Sequence, residues 1–240
     1  MMDEPELLSR REDGAELAMA LWRFGSPLLA LSSAPYGGGW GERQWVLAAQ
    51  VSGGYSRPDP ADHLAGLAGG LGLDGPGIGM LTAVDVRLVS TGREDGVTAA
   101  ATVGLSHPAW AAGAEAGTGS AGAAGAGTRT AAGRARATPA QATPAEAAGG
   151  TVNIIAVLSR RLCPAALVNA VMTVTEAKSQ ALWEAGFAGT GTPSDAVAVL
   201  CPAAGPAEAF AGPRSRWGSR LARAVHAAVL DGSIRWAAAR

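Results

Sequence analysis

The sequence predicts an α+β fold, a single layered α/β sandwich with mixed sheets. Apolar runs of strand length, bounded by glycine and proline, recur along the chain. Some are joined by short polar turns, which is typical of hairpins, and others are separated by helical patterns. Hairpins combined with helical crossovers favour this class over a doubly wound parallel sheet. The predicted order is β-β-β-α-β-β-β-α-β-α.

Composition limits the class of protein. With 240 residues, 48% of them hydrophobic, the chain can bury one sizeable core. A formal net charge of −1 argues against nucleic acid or an anionic membrane as the main partner. We expect a cytoplasmic protein, because there is neither a signal-peptide pattern nor an apolar run long enough to span a bilayer. The two isolated cysteines fit a reducing compartment.

The first elements are strands. Residues 1–14 are charged and are predicted to be a flexible N-terminus, ahead of a single domain over 15–232. "ELAMALWRF" and "PLLALSSAP" predict two strands joined at residues 25–27, and "RQWVLAAQV" predicts a third. "DPADHLAGLAGGLGL" predicts a helix with Asp59 as N-cap and Pro60 at its first position. "GIGMLTAVDVRLVS" and "GVTAAATVGLS" then predict a hairpin.

The middle of the chain has a different composition. From about residue 113 to residue 150 it has no aromatic and no large aliphatic residue, and it is rich in alanine and glycine. Such a segment cannot bury enough apolar surface to offset the entropy of ordering it. We therefore expect a disordered insertion within the folded domain.

The remaining elements alternate. "TVNIIAVLS" predicts a strand, and a long helix follows from Pro164 to about Ala185. "DAVAVLCP" predicts the last strand, and "SRWGSRLARAVHAAVLDG" predicts a final helix that ends at Gly232.

Lys178, the only lysine of the chain, has an unusual place in the long helix. At about 100° per residue, Asn169, Thr173, Glu176 and Gln180 form one polar stripe, whereas Lys178 falls in the apolar stripe. It lies about 160° from Glu176, so the two cannot pair on one face. Either Lys178 extends its ammonium to water, or it has a buried partner such as a carboxylate on a neighbouring strand.

The segment "TGTPSDA", residues 190–196, joins this helix to the next strand. It can offer backbone N–H groups and hydroxyls to a substrate, with Ser194 or Thr192 as a nucleophile, or it can be an ordinary Asp/Ser turn. Asp85 and Asn153 are polar residues within apolar strands, where they can mark a strand edge. His226 is a candidate general base or a structural histidine. The three histidines are isolated in sequence, so we expect no metal site.

Several long motifs, taken in order, resemble the adenosylcobinamide amidohydrolases of archaea and bacteria. They cover most of the chain outside the N-terminal dozen residues and the insertion. The motifs are "LSSAPYGGG" (31–39), "QVSGGYSRPDP" (50–60), "GIGMLTAVDVR" (77–87), "ATVGLSHPAWA" (101–111), "LVNAVMTVTEAKSQAL" (167–182), "GTGTPSDAVAVLCP" (189–202) and "GPRSRWGSRLARAVHAAV" (212–229).

The resemblance implies hydrolysis of the amide that joins aminopropanol to the corrin ring of adenosylcobinamide, during salvage of cobalamin precursors. It implies a corrinoid substrate and no further cofactor or metal. A non-catalytic corrinoid-binding protein on the same fold is the alternative. The candidate catalytic residues are Glu176, Lys178, Ser194, Asp195 and His226. The candidate substrate-binding residues are Ser33, Tyr36, Gly38, Tyr55, Thr82, Asp85, Asn169, Thr190 and Thr192.

Overall fold

The computed structural model describes residues 2–113 and 150–239, so nearly all of the insertion expected at 113–150 lies outside the described residues. The described part contains eight strands, three α-helices and a short 3₁₀ helix. Their bounds are β1 Glu6–Glu12, β2 Ala15–Ser32, β3 Gly39–Gln50, α1 Pro60–Gly70, β4 Gly77–Thr82, the 3₁₀ helix Val86–Leu88, β5 Ser90–Glu94, β6 Val97–Val103, β7 Val152–Leu158, α2 Pro164–Glu184, β8 Ala196–Pro202 and α3 Arg216–Ala238.

The strands form one mixed sheet in the order β4-β3-β2-β8-β7-β6-β5. β3 runs parallel to β4 and β7 runs parallel to β8, while the other neighbours are antiparallel. The first half of β2 pairs with β1 and its second half with β8, and β3 pairs with both halves. The predicted α+β layered architecture is confirmed.

The sheet is strongly curved. Asn153 on β7 donates a hydrogen bond from Nδ2 to the carbonyl of Leu81 on β4, although three strands separate β7 from β4 in the sheet. Apolar side chains from β2, β3, β4 and from β6, β7, β8 also share one core on this concave side. The curvature brings β4, at one end of the sheet order, close to β7.

Helices cover the convex side of the sheet. α2 and α3 pack on β6, β7 and β8 over a core that includes Ile154, Leu167 and Leu221. α1 packs on β2 and β3 over a smaller core built around Leu47 and Leu64. The first of these layers places α2 behind the N-terminal ends of β7 and β8, where the polar residues of the site lie.

The N-terminal third differs from the prediction in two respects. Residues 6–12, within the segment expected to be flexible, form β1 on the edge of β2. The two strands predicted on either side of residues 25–27 are one long strand, β2. The register shifts between Arg23 and Leu28, so the Gly-Ser-Pro segment bends the strand without ending it.

The predicted hairpin partner was also wrong. The run "GIGMLTAVDVRLVS", residues 77–90, is divided into β4 and the 3₁₀ helix, and it ends where β5 begins. It is β5 that forms the hairpin with β6. β4 lies at the opposite end of the sheet order. Asp85 is therefore not a strand residue. It caps the 3₁₀ helix by accepting a hydrogen bond from Arg87 N, which explains the break in the run.

The last helix continues past the predicted end. α3 runs to Ala238, and Gly232 is a buried residue inside it. A Cβ at Gly232 would lie 2.6 Å from a methyl group of Val103, so this glycine allows α3 to approach β6 closely. No helix in the described ranges is both long enough and apolar enough to cross a bilayer.

Candidate functional site

Two concavities flank the segment between α2 and β8, residues 190–195, which we call the site loop. The end cavity, of about 390 Å³, lies where β2, β3 and β4 end and β7 and β8 begin. The lateral cleft, of about 780 Å³, lies between α2, the site loop and residues 109–113. The polar side chains of the end cavity are Ser52, Tyr55, Thr82, Thr151, Asn153 and Ser194.

Asp195 fixes the shape of the site loop. Its Oδ1 accepts hydrogen bonds from Val152 N at 2.9 Å and Thr192 Oγ1 at 2.6 Å. Its Oδ2 accepts from Thr192 N at 3.1 Å and from Lys178 Nζ at 2.5 Å. An ionised carboxylate has about four accepting positions. Since four donors occupy Asp195, this residue holds the loop in place and has no free lone pair for use as a base.

Lys178 has a buried carboxylate partner, which was one of the two alternatives predicted from its position on the helix. Its side chain is 9% exposed and ends on Asp195, whose side chain is 10% exposed. A Cβ at Gly191 would overlap the carboxylate and lie 2.5 Å from Nζ, so the loop can pass this ion pair only with glycine there. The interpretation of Lys178 as a lysine reaching for water is wrong.

Ser194 lies on the other side of the site loop, at the end cavity. Its Oγ is 2.7 Å from Thr151 Oγ1 and donates to the carbonyl of Gly150 at 3.2 Å. A serine nucleophile needs an adjacent base that takes its proton. Neither a threonine hydroxyl nor a carbonyl is such a base, so the surroundings of Ser194 suit a hydrogen-bonding role.

Asn153 has an unpaired acceptor at this cavity. Its Nδ2 donates to Leu81 O at 2.9 Å, which fixes the orientation of the amide. Its Oδ1 is buried and has no partner among the described residues, and the same holds for Oγ1 of Thr102, the neighbouring residue on β6. An unpaired buried acceptor costs about 1–3 kcal/mol. The end cavity is therefore lined by a residue whose buried amide oxygen has no hydrogen-bond donor among the described residues.

Tyr55 lines the same cavity. Its hydroxyl is 3.1 Å from Nδ1 of His63, and the two rings stack with their centroids 5.6 Å apart. Burial raises the pKa of the Tyr55 hydroxyl above its ordinary value. The phenol is therefore protonated at neutral pH. Thr82 is buried beside it in the cavity wall, and its Oγ1 accepts from Val84 N.

The structure brings together some of the predicted catalytic residues and separates others. Lys178, Ser194 and Asp195 meet at the site loop. Glu176 is exposed on α2, and neither Glu176 nor His226 lines either concavity. His226 Nε2 lies 2.8 Å from Glu184, and the hydrogen bonds that Gln180 and then His226 make lower the pKa of Glu184. His226 thus links α3 to α2.

The predicted substrate-binding residues divide in the same way. Tyr55 and Thr82 line the end cavity, and Thr190 and Thr192 line the lateral cleft. The other five line neither concavity. Ser33 accepts from Val197 N, Tyr36 stacks on Trp45, Gly38 lies against the Ala34 carbonyl, Asn169 accepts from Ala211 N, and Asp85 binds Arg87.

The hydrogen bonds that Arg87 donates to Asp85 lower the pKa of the Asp85 carboxyl, against the opposing effect of burial. Asp85 is therefore a capping residue with a fixed cationic partner, and its contacts are within its own turn. The polar residue in the apolar run thus marked the end of a strand.

Thr151, His63 and Ser52 were not predicted as site residues, and Asn153 was predicted only as a strand-edge residue. Thr151 and Asn153 face the end cavity because the sheet curves, and no local pattern predicts that curvature. His63 could have been recognised as a candidate, because it is a polar residue on the side of α1 that is buried. In residues 2–113 and 150–239, no three His, Cys, Asp or Glu side chains are grouped as metal ligands.

Comparison with known proteins gives consistent matches along the chain. The model of a family described as adenosylcobinamide amidohydrolase matches residues 4–240. A protein named adenosylcobinamide amidohydrolase from Methanosarcina mazei is 27% identical over 197 residues, which are 78% of this chain and 82% of that protein. A protein of the same name from Halobacterium salinarum is 40% identical over 84 residues, 35% of this chain and 36% of that protein.

Proposed function

The chain belongs to the adenosylcobinamide amidohydrolase family, and we propose that it hydrolyses the amide that joins aminopropanol to the corrin ring of adenosylcobinamide. The products are adenosylcobyric acid and 1-aminopropan-2-ol, and the reaction serves the salvage of cobalamin precursors. The observation that carries this proposal is the family match over residues 4–240, which includes the site loop and both concavities.

The scissile amide belongs in the end cavity. A volume of about 390 Å³ is within the range of small-ligand sites and fits a short amide arm, whereas the corrin macrocycle with its adenosyl ligand is too large for it. Asn153 lines this cavity, and its Oδ1 is the proposed acceptor for the amide N–H or for the hydroxyl of the aminopropanol arm once substrate binding exposes this oxygen. Pairing with the substrate removes the cost of this buried unpaired oxygen.

Ser194 and Thr151 act on the substrate carbonyl as hydrogen-bond donors. Without substrate, Thr151 donates to Ser194 and Ser194 donates to the carbonyl of Gly150, and both hydroxyls can rotate to donate to a carbonyl oxygen in the cavity instead. Negative charge develops on the carbonyl oxygen when the amide is attacked, and fixed donors stabilise it. Because Ser194 has no adjacent base, water is the attacking group in this proposal.

Lys178 and Asp195 are positioning residues in this scheme. Their ion pair lies behind the site loop and faces the lateral cleft, and Asp195 also accepts from Val152 N at the start of β7. The pair thereby holds the loop that carries Ser194 against the strand next to Thr151. A displacement of about 1 Å at such a site can reduce the rate about 100-fold.

The reaction is proposed to need no resident metal, as the scattered His, Cys, Asp and Glu side chains of the described residues suggest. We also place the protein in the cytoplasm, supported by the free thiols of Cys163 and Cys201. Cell fractionation with an antibody tests the second point, and recovery of the protein outside the cytoplasm would contradict it.

The test incubates the purified full chain with adenosylcobinamide and measures both products. We expect equal amounts of 1-aminopropan-2-ol and adenosylcobyric acid, with the same rate after treatment with EDTA. Ser194→Ala lowers kcat by about 100-fold, because it removes one donor to the developing oxyanion. Ser219→Ala, which removes an exposed hydroxyl on α3, is the matched control. Tight binding of the corrinoid without release of either product would instead support the non-catalytic alternative.

A further inference from the structure

A chain of hydrogen-bonded ionisable groups leads from the sheet edge to the end cavity. Arg10 Nε donates to Glu12 Oε2 at 2.8 Å, and Glu12 Oε1 lies 3.1 Å from His63 Nε2. His63 Nδ1 in turn lies 3.1 Å from the Tyr55 hydroxyl, which lines the cavity. The first two residues come from β1, His63 from α1 and Tyr55 from the loop before α1.

The hydrogen-bonding roles in this chain are determined by Glu12. Burial alone would raise the pKa of Glu12, but the hydrogen bond and charge of Arg10, together with His63, lower it below the ordinary value. An ionised carboxylate only accepts, so Nε2 of His63 carries the hydrogen of that contact. With His63 neutral, Nδ1 is the acceptor and the Tyr55 hydroxyl donates to it. The lone pairs of Tyr55 Oη are then left for a group in the cavity.

Protonation of His63 reverses the role of Tyr55. When Nδ1 carries a proton it donates to Tyr55 Oη, and the Tyr55 hydroxyl is free to donate into the cavity. The charge of the imidazolium is balanced by Glu12. Tyr55 can therefore accept a proton from one group in the cavity and later give one to another, while His63 stores the proton between the two steps.

We propose that Tyr55 is the general base and general acid of the amide hydrolysis, with His63 and Glu12 as positioning residues that relay its proton. This inference rests on the proposed function and names the proton-transfer group of the same site. Neither Ser194 nor Asp195 can fill that role, since Ser194 has no adjacent base and Asp195 has four donors already.

The two steps balance in atoms and electrons. In the first, the oxygen of water bonds to the amide carbon, and the π pair of the carbonyl moves to its oxygen. The proton of the water passes to Tyr55 Oη as the proton of Tyr55 passes to His63 Nδ1. In the second, the carbonyl re-forms and the C–N bond breaks with its electron pair on nitrogen. That nitrogen takes the proton from Tyr55, and His63 returns its proton to Tyr55.

The charged surroundings of the relay come from two elements. Arg10 and Glu12 face it from β1, and Arg57 and Asp59 face it from the loop before α1. Arg57 and Asp59 form a bidentate pair with each other, with contacts of 3.0 and 2.8 Å. Glu12 is thus the carboxylate that contacts His63 directly, and the pH test is made at this residue.

The experiment compares wild type, Tyr55→Phe, Glu12→Gln and Glu6→Gln as full-length chains with adenosylcobinamide, measuring release of 1-aminopropan-2-ol against pH. Tyr55→Phe keeps the ring that stacks on His63 and removes only the hydroxyl. We expect kcat to fall at least about 100-fold, the usual contribution of a general acid or base, with KM changed less than about threefold. A Tyr55→Phe variant with wild-type kcat would overturn the proposal.

Glu12→Gln tests the relay behind Tyr55. The glutamine can still accept from Nε2, but it brings no negative charge to the protonated imidazole of the relay. We therefore expect a lower kcat and a pH profile of kcat/KM that no longer coincides with that of the wild type. Glu6, also on β1, makes only an exposed contact of 3.6 Å with Arg23, so Glu6→Gln should keep the wild-type profile. His63→Gln should lose activity like Tyr55→Phe.

Coincident profiles for Glu12→Gln and Glu6→Gln would contradict the relay. A wild type that releases no 1-aminopropan-2-ol would overturn the proposed function together with this inference. An active wild type with a fully active Tyr55→Phe variant would overturn this inference alone. Thermal unfolding of each variant shows whether a loss of activity comes from a loss of fold.

Discussion

At the scale of single residues, the ion pair between Lys178 and Asp195 was predictable from the local sequence only in part. Helical periodicity placed Lys178 on the apolar side of α2 and so required a partner if the lysine was buried. It could not say which carboxylate. Asp195 is only 17 residues away in sequence, but its position depends on where β8 begins beside β7. The residue type was predictable, and the pairing was not.

Replacing Asp195 by asparagine tests the structural role of this pair. The asparagine would have the same shape, but it has one accepting oxygen in place of two. In either orientation its amide nitrogen faces a backbone N–H, that of Thr192 or that of Val152. Breaking a buried ion pair on one side typically costs about 3–5 kcal/mol. We expect Asp195→Asn to lower the free energy of unfolding by about that amount, measured by denaturant titration.

The control for Asp195→Asn is Asp231→Asn. Asp231 also pairs with a cation, Arg235, at 2.8 Å, but both side chains are about half exposed. Exposed pairs one turn apart on a helix contribute about 0.3–0.5 kcal/mol. Equal losses of stability in the two variants would show that the ion pair between Lys178 and Asp195 is not the interaction that holds the site loop in place.

At the scale of secondary-structure elements, those with a continuous apolar pattern were predicted and β1 was not. The sequence of β1, "ELLSRRE", has mostly polar side chains, and its residues are exposed or half-buried at the edge of the sheet. A strand of this kind is formed by its pairing with β2 and not by an apolar face. Because β1 carries Arg10 and Glu12, these two residues of the hydrogen-bonded chain behind Tyr55 could not be predicted from the apolar pattern either.

Two helical glycines have opposite expected effects. Gly232 lies inside α3, where an added Cβ would lie 2.6 Å from a methyl group of Val103. Gly66 lies inside α1, with nothing within 4 Å of an added Cβ. Alanine is favoured over glycine in a helix by about 1 kcal/mol. Gly66→Ala should therefore raise the free energy of unfolding by about 0.5–1 kcal/mol.

Gly232→Ala should instead lower it by about 1–3 kcal/mol, because the new methyl group forces α3 away from β6. Thermal or denaturant unfolding of the two variants measures both effects. A stabilised Gly232→Ala variant would mean that α3 can shift on the sheet without loss of packing, and that glycine is not required for the close approach.

At the scale of the whole molecule, the site depends on curvature that the one-dimensional pattern does not contain. The strand and helix types predicted the α+β class, and the motifs predicted the family. The end cavity forms only because β4 and β7 meet across the concave side, where Asn153 bonds to Leu81 O. Residues more than 70 positions apart in sequence thereby line one cavity, and this explains why Thr151 and Asn153 were not predicted as site residues.

The same curved sheet makes a prediction about cooperativity. β2 pairs with β1, β3 and β8, so one strand belongs to both halves of the sheet. Loss of β2 would expose the concave core, to which strands on both sides of β2 in the sheet contribute. We therefore expect one unfolding transition, with coincident denaturant midpoints for far-UV circular dichroism and tryptophan fluorescence.

Buried tryptophans lie in both halves of this sheet, so their fluorescence can be compared with circular dichroism to detect separate unfolding of one half. Trp22 and Trp45 lie in the cores of β2 and β3, and Trp217 packs at the start of α3. If the two halves were independent domains, replacing Trp217 by phenylalanine would destabilise only the half that holds α3, and the midpoints from fluorescence and circular dichroism would separate. Midpoints that stay together in wild type and variant would show that the strand shared by both halves couples their stability, and with it the shape of the end cavity.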